Sequence, residues 1–126
     1  MLFKMSDVSK IDVIFLMDKC DAKNFLIALN NTRLQGHSSL KITKINKRSA
    51  SLTETTLHVS LCEEIDEFFY IKGENLKILL SIDAIEYGEY LLSSYIKEKG
   101  FPLAEFIEIQ TDKFKHKSQL YFYKNE

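Results

Sequence analysis

The chain has few of the residues that interrupt structure: one proline, Pro102, and four glycines in 126 residues. That scarcity argues against a flexible linker or a low-complexity tail. Long apolar runs are missing too. Near the start the longest is Val13 to Met17, too short for the apolar region of a signal peptide, and no run reaches the roughly 20 residues of a membrane span. Cysteine occurs twice, at Cys20 and Cys62. Two unpatterned cysteines without a leader are expected to be free thiols in a reducing cytoplasm.

The motifs of familiar chemistry are also absent. No GxxxxGK[ST] or GxGxxG loop is present to cradle a phosphate, and no serine sits in a nucleophile elbow. His37, His58 and His116 are scattered, without a second His or Cys at metal-ligand spacing. The expectation is a protein that is not an enzyme and carries no cofactor or metal.

What remains is an average globular composition, 45% hydrophobic and 28% charged, at the length of one domain (1–126) with no visible sequence repeat. The net charge of −1 conceals an uneven distribution. Residues 1–50 hold nine Lys/Arg against four Asp/Glu, a net +5, and residues 51–110 hold four against twelve, a net −8. The last sixteen residues hold four against two, a net +2. Such asymmetry gives a surface with a sign unless the segments mix in space. "KITKINKR" and "DKFKHK" are locally basic but lack interleaved aromatics, and the acidic centre opposes phosphate, so no nucleic-acid partner is expected.

Periodicity gives the elements. "IDVIFLMD" is an apolar, β-branched run and reads as a strand over 12–17. Asp21 offers a helix cap, Ala22, Phe25, Leu26 and Leu29 share one helical face, and Gly36 supplies the stop, so a helix is predicted over 22–35. "LKITKIN" and "TTLHVSLC" alternate with period two, Leu57, Val59 and Leu61 on one face and Thr56, His58 and Ser60 on the other. "DEFFYIKGENLKILLSI" reads as two strands about a Gly73-Glu74 turn, and "AEFIEIQ" and "SQLYFYK" as a last hairpin. The expected fold class is α+β: an antiparallel-dominated sheet with two helices packed on it, in the order β-α-β-β-β-β-α-β-β.

The second helix, "IDAIEYGEYLLSSYIKEKGFP", carries the more specific reading. Asp83 and Glu86 resemble a capping pair, and Gly100-Phe101-Pro102 a stop. At 100° per residue Ala84, Ile85, Leu91, Leu92, Tyr95 and Ile96 form the apolar face over 84–99, with Gly88 in its middle. A glycine there costs about 1 kcal/mol against alanine, which close approach of a large side chain would offset. The other possibility is that Gly88 floors a small-molecule pocket. Tyr87 and Tyr90 fall about 160° and 140° from Ile85, on the outer face beside Glu86. Paired outward tyrosines suit an interface anchor or lie under a neighbouring segment.

"CEEIDEFF" is the densest acidic stretch, with Glu63, Glu64, Asp66 and Glu67. It reads as a solvated turn, as ligands for a divalent metal in an enzyme, or as recognition of a basic partner. Asp83, Glu86 and Glu89 add weight to the last.

"DVIFLMDKCDAKNFLIAL", a strand running into an acidic-capped helix, resembles the opening of many small bacterial immunity proteins. "LLSIDAIEYGEYLLSSYI…AEFIEI" is similar to the central strand-helix-strand of proteins encoded beside contact-dependent growth inhibition and related polymorphic toxins. The resemblance covers most of the chain as a pattern of elements and includes no invariant motif. It implies a cytoplasmic inhibitor forming a heterodimer with one cognate toxin domain, often a nuclease with a basic active-site surface. No functional residue transfers by position. The candidate partner-binding residues, Glu63, Glu64, Asp66, Glu67, Asp83, Glu86, Tyr87 and Tyr90, rest on charge and the helical wheel. An exposed strand edge is expected to add main-chain pairing.

Overall fold

A computed structural model describes residues 1–6, 12–46, 51–63, 68–72, 75–98, 103, 105–111 and 118–124. Ten elements follow in order: β1 (Leu2–Ser6), β2 (Asp12–Met17), α1 (Lys19–Gln35), β3 (His37–Asn46), β4 (Ser51–Leu61), β5 (Phe68–Lys72), β6 (Asn75–Leu80), α2 (Ile82–Lys97), β7 (Glu105–Thr111) and β8 (Ser118–Lys124). The α+β class and the two helices match the sequence reading. The order gains β1, a five-residue segment too short and too mixed in character to stand out as a strand. No helix among the described residues is long and apolar enough to cross a membrane.

The strands close into a ring, β1-β2-β8-β7-β5-β6-β4-β3. Each hairpin is antiparallel, and each junction between hairpins is parallel. The sheet is therefore mixed: antiparallel pairing joins sequence neighbours, and parallel pairing joins strands from different parts of the chain. Two of the parallel junctions are short. β1 meets β3 only at Leu2↔Thr43 and Phe3↔Lys44, and β5 meets β7 only at Phe68↔Gln110 and Phe69↔Thr111.

This ring contains a two-fold repeat that residue identity hides. Adding 63 to a residue number carries β2 onto β6, α1 onto α2 and the end of β4 onto β8. Leu57 and Val59 pair with Leu76 and Ile78, and their counterparts Leu120 and Phe122 pair with Val13 and Phe15. The helix caps Asp18 and Ser81 differ by 63. So do the buried helix positions: Ala22, Phe25, Ala28, Leu29 and Thr32 correspond to Ile85, Gly88, Leu91, Leu92 and Tyr95. Between 12–35 and 75–98 only Leu16/Leu79 and Leu29/Leu92 are identical. Burial is repeated where residue identity is not, which is why the sequence shows no repeat.

Both helices start from side-chain caps. Asp18 caps α1 in a reciprocal box: its Oδ1 accepts from the Asp21 N–H at 2.8 Å, and Asp21 Oδ2 accepts from the Asp18 N–H at 3.1 Å. The cap expected at Asp21 is thus three residues earlier, and Asp21 is the returning partner. Ser81, rather than the Asp83-Glu86 pair, caps α2, its Oγ accepting from the Ala84 N–H at 3.2 Å. Gly36 ends α1 as expected, in the left-handed region at φ 93°. α2 ends at Lys97, and the expected stop at Gly100-Phe101-Pro102 lies outside the described residues.

The core is built from one face of β2, β4, β6 and β8 with the facing sides of the helices. Val13, Phe15, Leu57, Val59, Ile78, Leu80, Leu120 and Phe122 are fully buried with Phe25, Leu29, Ile85 and Leu92. Thr32 is buried with its hydroxyl satisfied, donating to the Ala28 carbonyl and lying 2.7 Å from Ser38 Oγ. Cys20 and Cys62 are free thiols.

Candidate protein-binding face

Gly88 is a packing position. A Cβ built there would lie 2.9 Å from Leu29 Cδ1 and 2.9 Å from Phe106 Cζ. The space is filled, so Gly88 is not the floor of a ligand pocket. Leu29 is the buried leucine of α1, so the two helices cross closely at this point. Phe106 enters from β7, where the pairing with β8 shifts between Glu105 and Ile107. That bulge turns Phe106 into the core although its neighbour Ile109, three residues on, is also buried.

Phe106 continues a line of rings that runs from the core to the surface. Phe15 meets Phe25 at 5.7 Å between centroids, Phe25 meets Phe122 at 5.3 Å, and Phe122 stacks on Phe106 at 4.6 Å. Tyr87 lies on Phe106 at 6.1 Å, and Tyr90 stacks on Tyr87 at 6.4 Å with 18° between the ring planes. Tyr87 is 44% exposed and Tyr90 59%. Aromatic pairs of this geometry contribute about 0.5–1.5 kcal/mol each beyond area burial. The outer pair therefore continues, ring on ring, a ladder anchored in the core. The helical wheel placed both tyrosines outward, and the structure agrees; it missed Phe106. The adjacent apolar pair Phe106-Ile107, which breaks the period-two alternation of its strand, was the available signal.

Asp83 and Glu86 are exposed and lie with Tyr87 and Tyr90 along one stripe of α2, at spacings of three, four and seven residues. Glu89 is engaged elsewhere: its Oε1 accepts from Arg33 Nε at 2.9 Å and ties α2 to α1. Glu63 is exposed and follows Cys62, whose N–H donates to the Leu80 carbonyl at 2.8 Å, so Glu63 stands at the end of the ring where α2 begins. Glu64, Asp66 and Glu67 lie outside the described residues. Among the described residues no group of three or more His, Cys, Asp and Glu side chains is arranged to hold a metal.

The two-fold repeat shows how particular this stripe is. The α1 counterparts of Tyr87 and Tyr90 are Asn24 and Ile27, and that of Gly88 is Phe25. The first half fills its core with Phe25 from the helix; the second leaves the helix bare and fills the space from β7. Only the second arrangement carries an aromatic ladder outward.

No protein-family model, curated protein or solved structure matches the chain.

Proposed function

We propose that the chain is a non-enzymatic binding protein that docks a protein partner on the outer stripe of α2, and that it acts as an immunity protein neutralising a cognate bacterial toxin domain. The supporting observation is the stacked Tyr87–Tyr90 pair, exposed yet oriented from beneath by Phe106 and flanked by Asp83 and Glu86. Rigid tyrosines give a large contact area with little ordering cost on binding, and they are over-represented among residues that dominate interface energetics. The carboxylates beside them favour a basic partner surface, such as that of a nuclease, and would raise its rate of encounter. Inhibition follows by occupancy: the docked domain excludes the toxin's substrate.

The experiment is capture of partners from the native cell, read by mass spectrometry at low and moderate salt, with two variants. Tyr90→Ala removes the outer ring and leaves Tyr87 on Phe106. Glu86→Lys reverses an exposed charge. A single stoichiometric partner resembling a toxin domain, held more weakly as salt rises, is the expected result. Tyr90→Ala is expected to weaken it about thirtyfold, the scale of an interface anchor. Unchanged affinity in the Tyr90→Ala, Glu86→Lys double variant moves the interface off α2.

A further inference from the structure

Four of the six large apolar side chains exposed among the described residues lie on the helices: Ile27 and Leu34 of α1, 56% and 72% exposed, and Tyr87 and Tyr90 of α2. Apolar surface gathered on one face marks an interaction site, whereas the same residues scattered would not. At 100° per residue, Ile27 and Leu34 point away from the buried arc of α1, and Tyr90 away from that of α2. Tyr87 stands to the side, on Phe106.

The helices run in opposite directions. Lys19 Nζ lies 5.9 Å from the centre of the Tyr95 ring near one end, while Leu29 meets Gly88 and Arg33 binds Glu89 further along. The repeat carries the Leu29–Gly88 contact onto Leu92–Phe25, so the crossing is centred on positions 27 and 90. Ile27 and Tyr90 are therefore the middle of a two-helix face. Charge divides its ends. Lys23, near the start of α1, and Lys97, at the close of α2, point outward at one end; Asp83 and Glu86 do so at the other. None of these four forms an ion pair among the described residues.

We infer that this face takes a second copy of the chain, turned end for end, in an isologous dimer. A two-fold axis lying across the helices sets α2 antiparallel on α2 of the second copy, and α1 on α1. Tyr90 then meets Tyr90 and Ile27 meets Ile27. Positions 83 and 97 are each seven residues from 90, so Asp83 meets Lys97 of the second copy at both ends. Leu34 is covered at Cys20 of the second copy by the same spacing. An axis along the helices would instead bring Lys23 beside Lys97 and set the carboxylates on Leu34. Like charges and desolvated carboxylates disfavour that arrangement, so charge selects the first.

The area makes the dimer a weak one. Helices of 17 and 16 residues are about 24 Å long and pack about 10 Å apart, which gives the pair roughly 500 Å² of face per copy. About 1,000 Å² in total is the lower bound for a specific interface. Dimerisation and the docking of another protein share Tyr90 and exclude each other. The free chain thus covers the stripe with its own copy and opens it on dilution.

The test is sedimentation equilibrium of the whole chain at low salt, from micromolar to half-millimolar concentration, with Asp83→Lys and Lys97→Asp. The parent is expected to show a monomer–dimer equilibrium with a Kd on the order of 100 µM. Each variant alone places like charges at both contacts and should dimerise about tenfold less well. Mixed in equal amounts, the two variants again oppose unlike charges at both contacts, and a heterodimer of about the parent's strength should form. A folding defect in either variant would not produce that recovery. The inference is overturned if the parent stays monomeric at half-millimolar concentration, if the single variants dimerise as the parent does, or if the mixture does not recover. Sedimentation needs no toxin, so a monomer here leaves the α2 docking proposal standing, and a failed capture there leaves the dimer standing.

Discussion

Gly88 does its work by lacking a side chain. The missing Cβ lets Leu29 and Phe106 meet over the helix backbone, and Phe106 in turn supports Tyr87 and, through it, Tyr90. Gly88→Ala pits two effects against each other. Alanine favours the helix by about 1 kcal/mol. Against that, contacts at 2.9 Å with two buried side chains must be relieved in a packed core, an overpacking cost of about 1–3 kcal/mol. Leu29 and Phe106 are wedged by Phe122 and the facing helix, so the second effect wins. Gly88→Ala is expected to lose about 1 kcal/mol in urea unfolding, and Gly88→Val clearly more. A gain in stability for Gly88→Ala would mean that Phe106 shifts freely, and the tyrosine pair would then lose its support. Tyr87 differs from Tyr90 for the same reason: Tyr87→Ala removes a ring that packs on Phe106, so its effect on binding would be mixed with an effect on folding.

At the scale of elements, the sequence was most legible where one face decides the outcome. The α2 wheel assigned the buried and exposed sides correctly because six apolar positions agree on a direction. Helix starts were less legible, since several polar residues compete for each. Around α1 both Asp18 and Asp21 are capping types, and only the fold shows that they bond to each other. β1 and the β7 bulge were missed because neither has a local signal strong enough: one depends on its neighbours β2 and β3, the other on a phase break two residues long. The acidic stretch from Glu63 to Glu67 was legible as a cluster, and its first member, Glu63, is exposed just after β4.

The caps give two measurable outcomes. Ser81→Ala removes the acceptor for the Ala84 N–H and should cost about 1 kcal/mol. At α1 the Asp21 backbone N–H bonded to Asp18 holds the Asp18 carboxyl below its ordinary value near 3.8, partial desolvation acting against it and the Asp21 side chain and Cys20 N–H adding to it. A carboxyl depressed on folding contributes stability that is present above its unfolded value and lost as pH falls through its folded one. Asp18→Asn keeps a capping oxygen and removes the titration. Thermal melts from pH 5 down to about pH 2 should therefore fall less steeply for Asp18→Asn than for the parent chain. Parallel curves would show that the capping box is not formed in solution.

For the molecule as a whole, the ring has one consequence that neither half has alone. β2 pairs with β8 and β6 with β4, so every parallel junction described except β1–β3 and β5–β7 joins the first half of the chain to the second. The interior is shared in the same way: Phe25 of the first half packs on Phe122 of the second, and Leu29 fills the space left by Gly88. A half of 63 residues on its own would expose that interior, and a domain so small has little apolar burial to spare. Two copies of the first half could satisfy the strand pairing, since the ring is unchanged when its halves are exchanged. They would also bring a phenylalanine, Phe25, to the place where the native chain has Gly88, beside Leu29. The complementarity of a large residue in one half and none in the other thus selects the native pairing over the symmetric one. Separate fragments 1–63 and 64–126 are therefore expected to be unfolded singly and to form a folded 1:1 complex when mixed, measured by circular dichroism and size-exclusion chromatography. Introducing Phe25→Gly into fragment 1–63 should weaken that complex. A folded homodimer of unaltered fragment 1–63 would show that the Phe25–Gly88 asymmetry does not govern assembly.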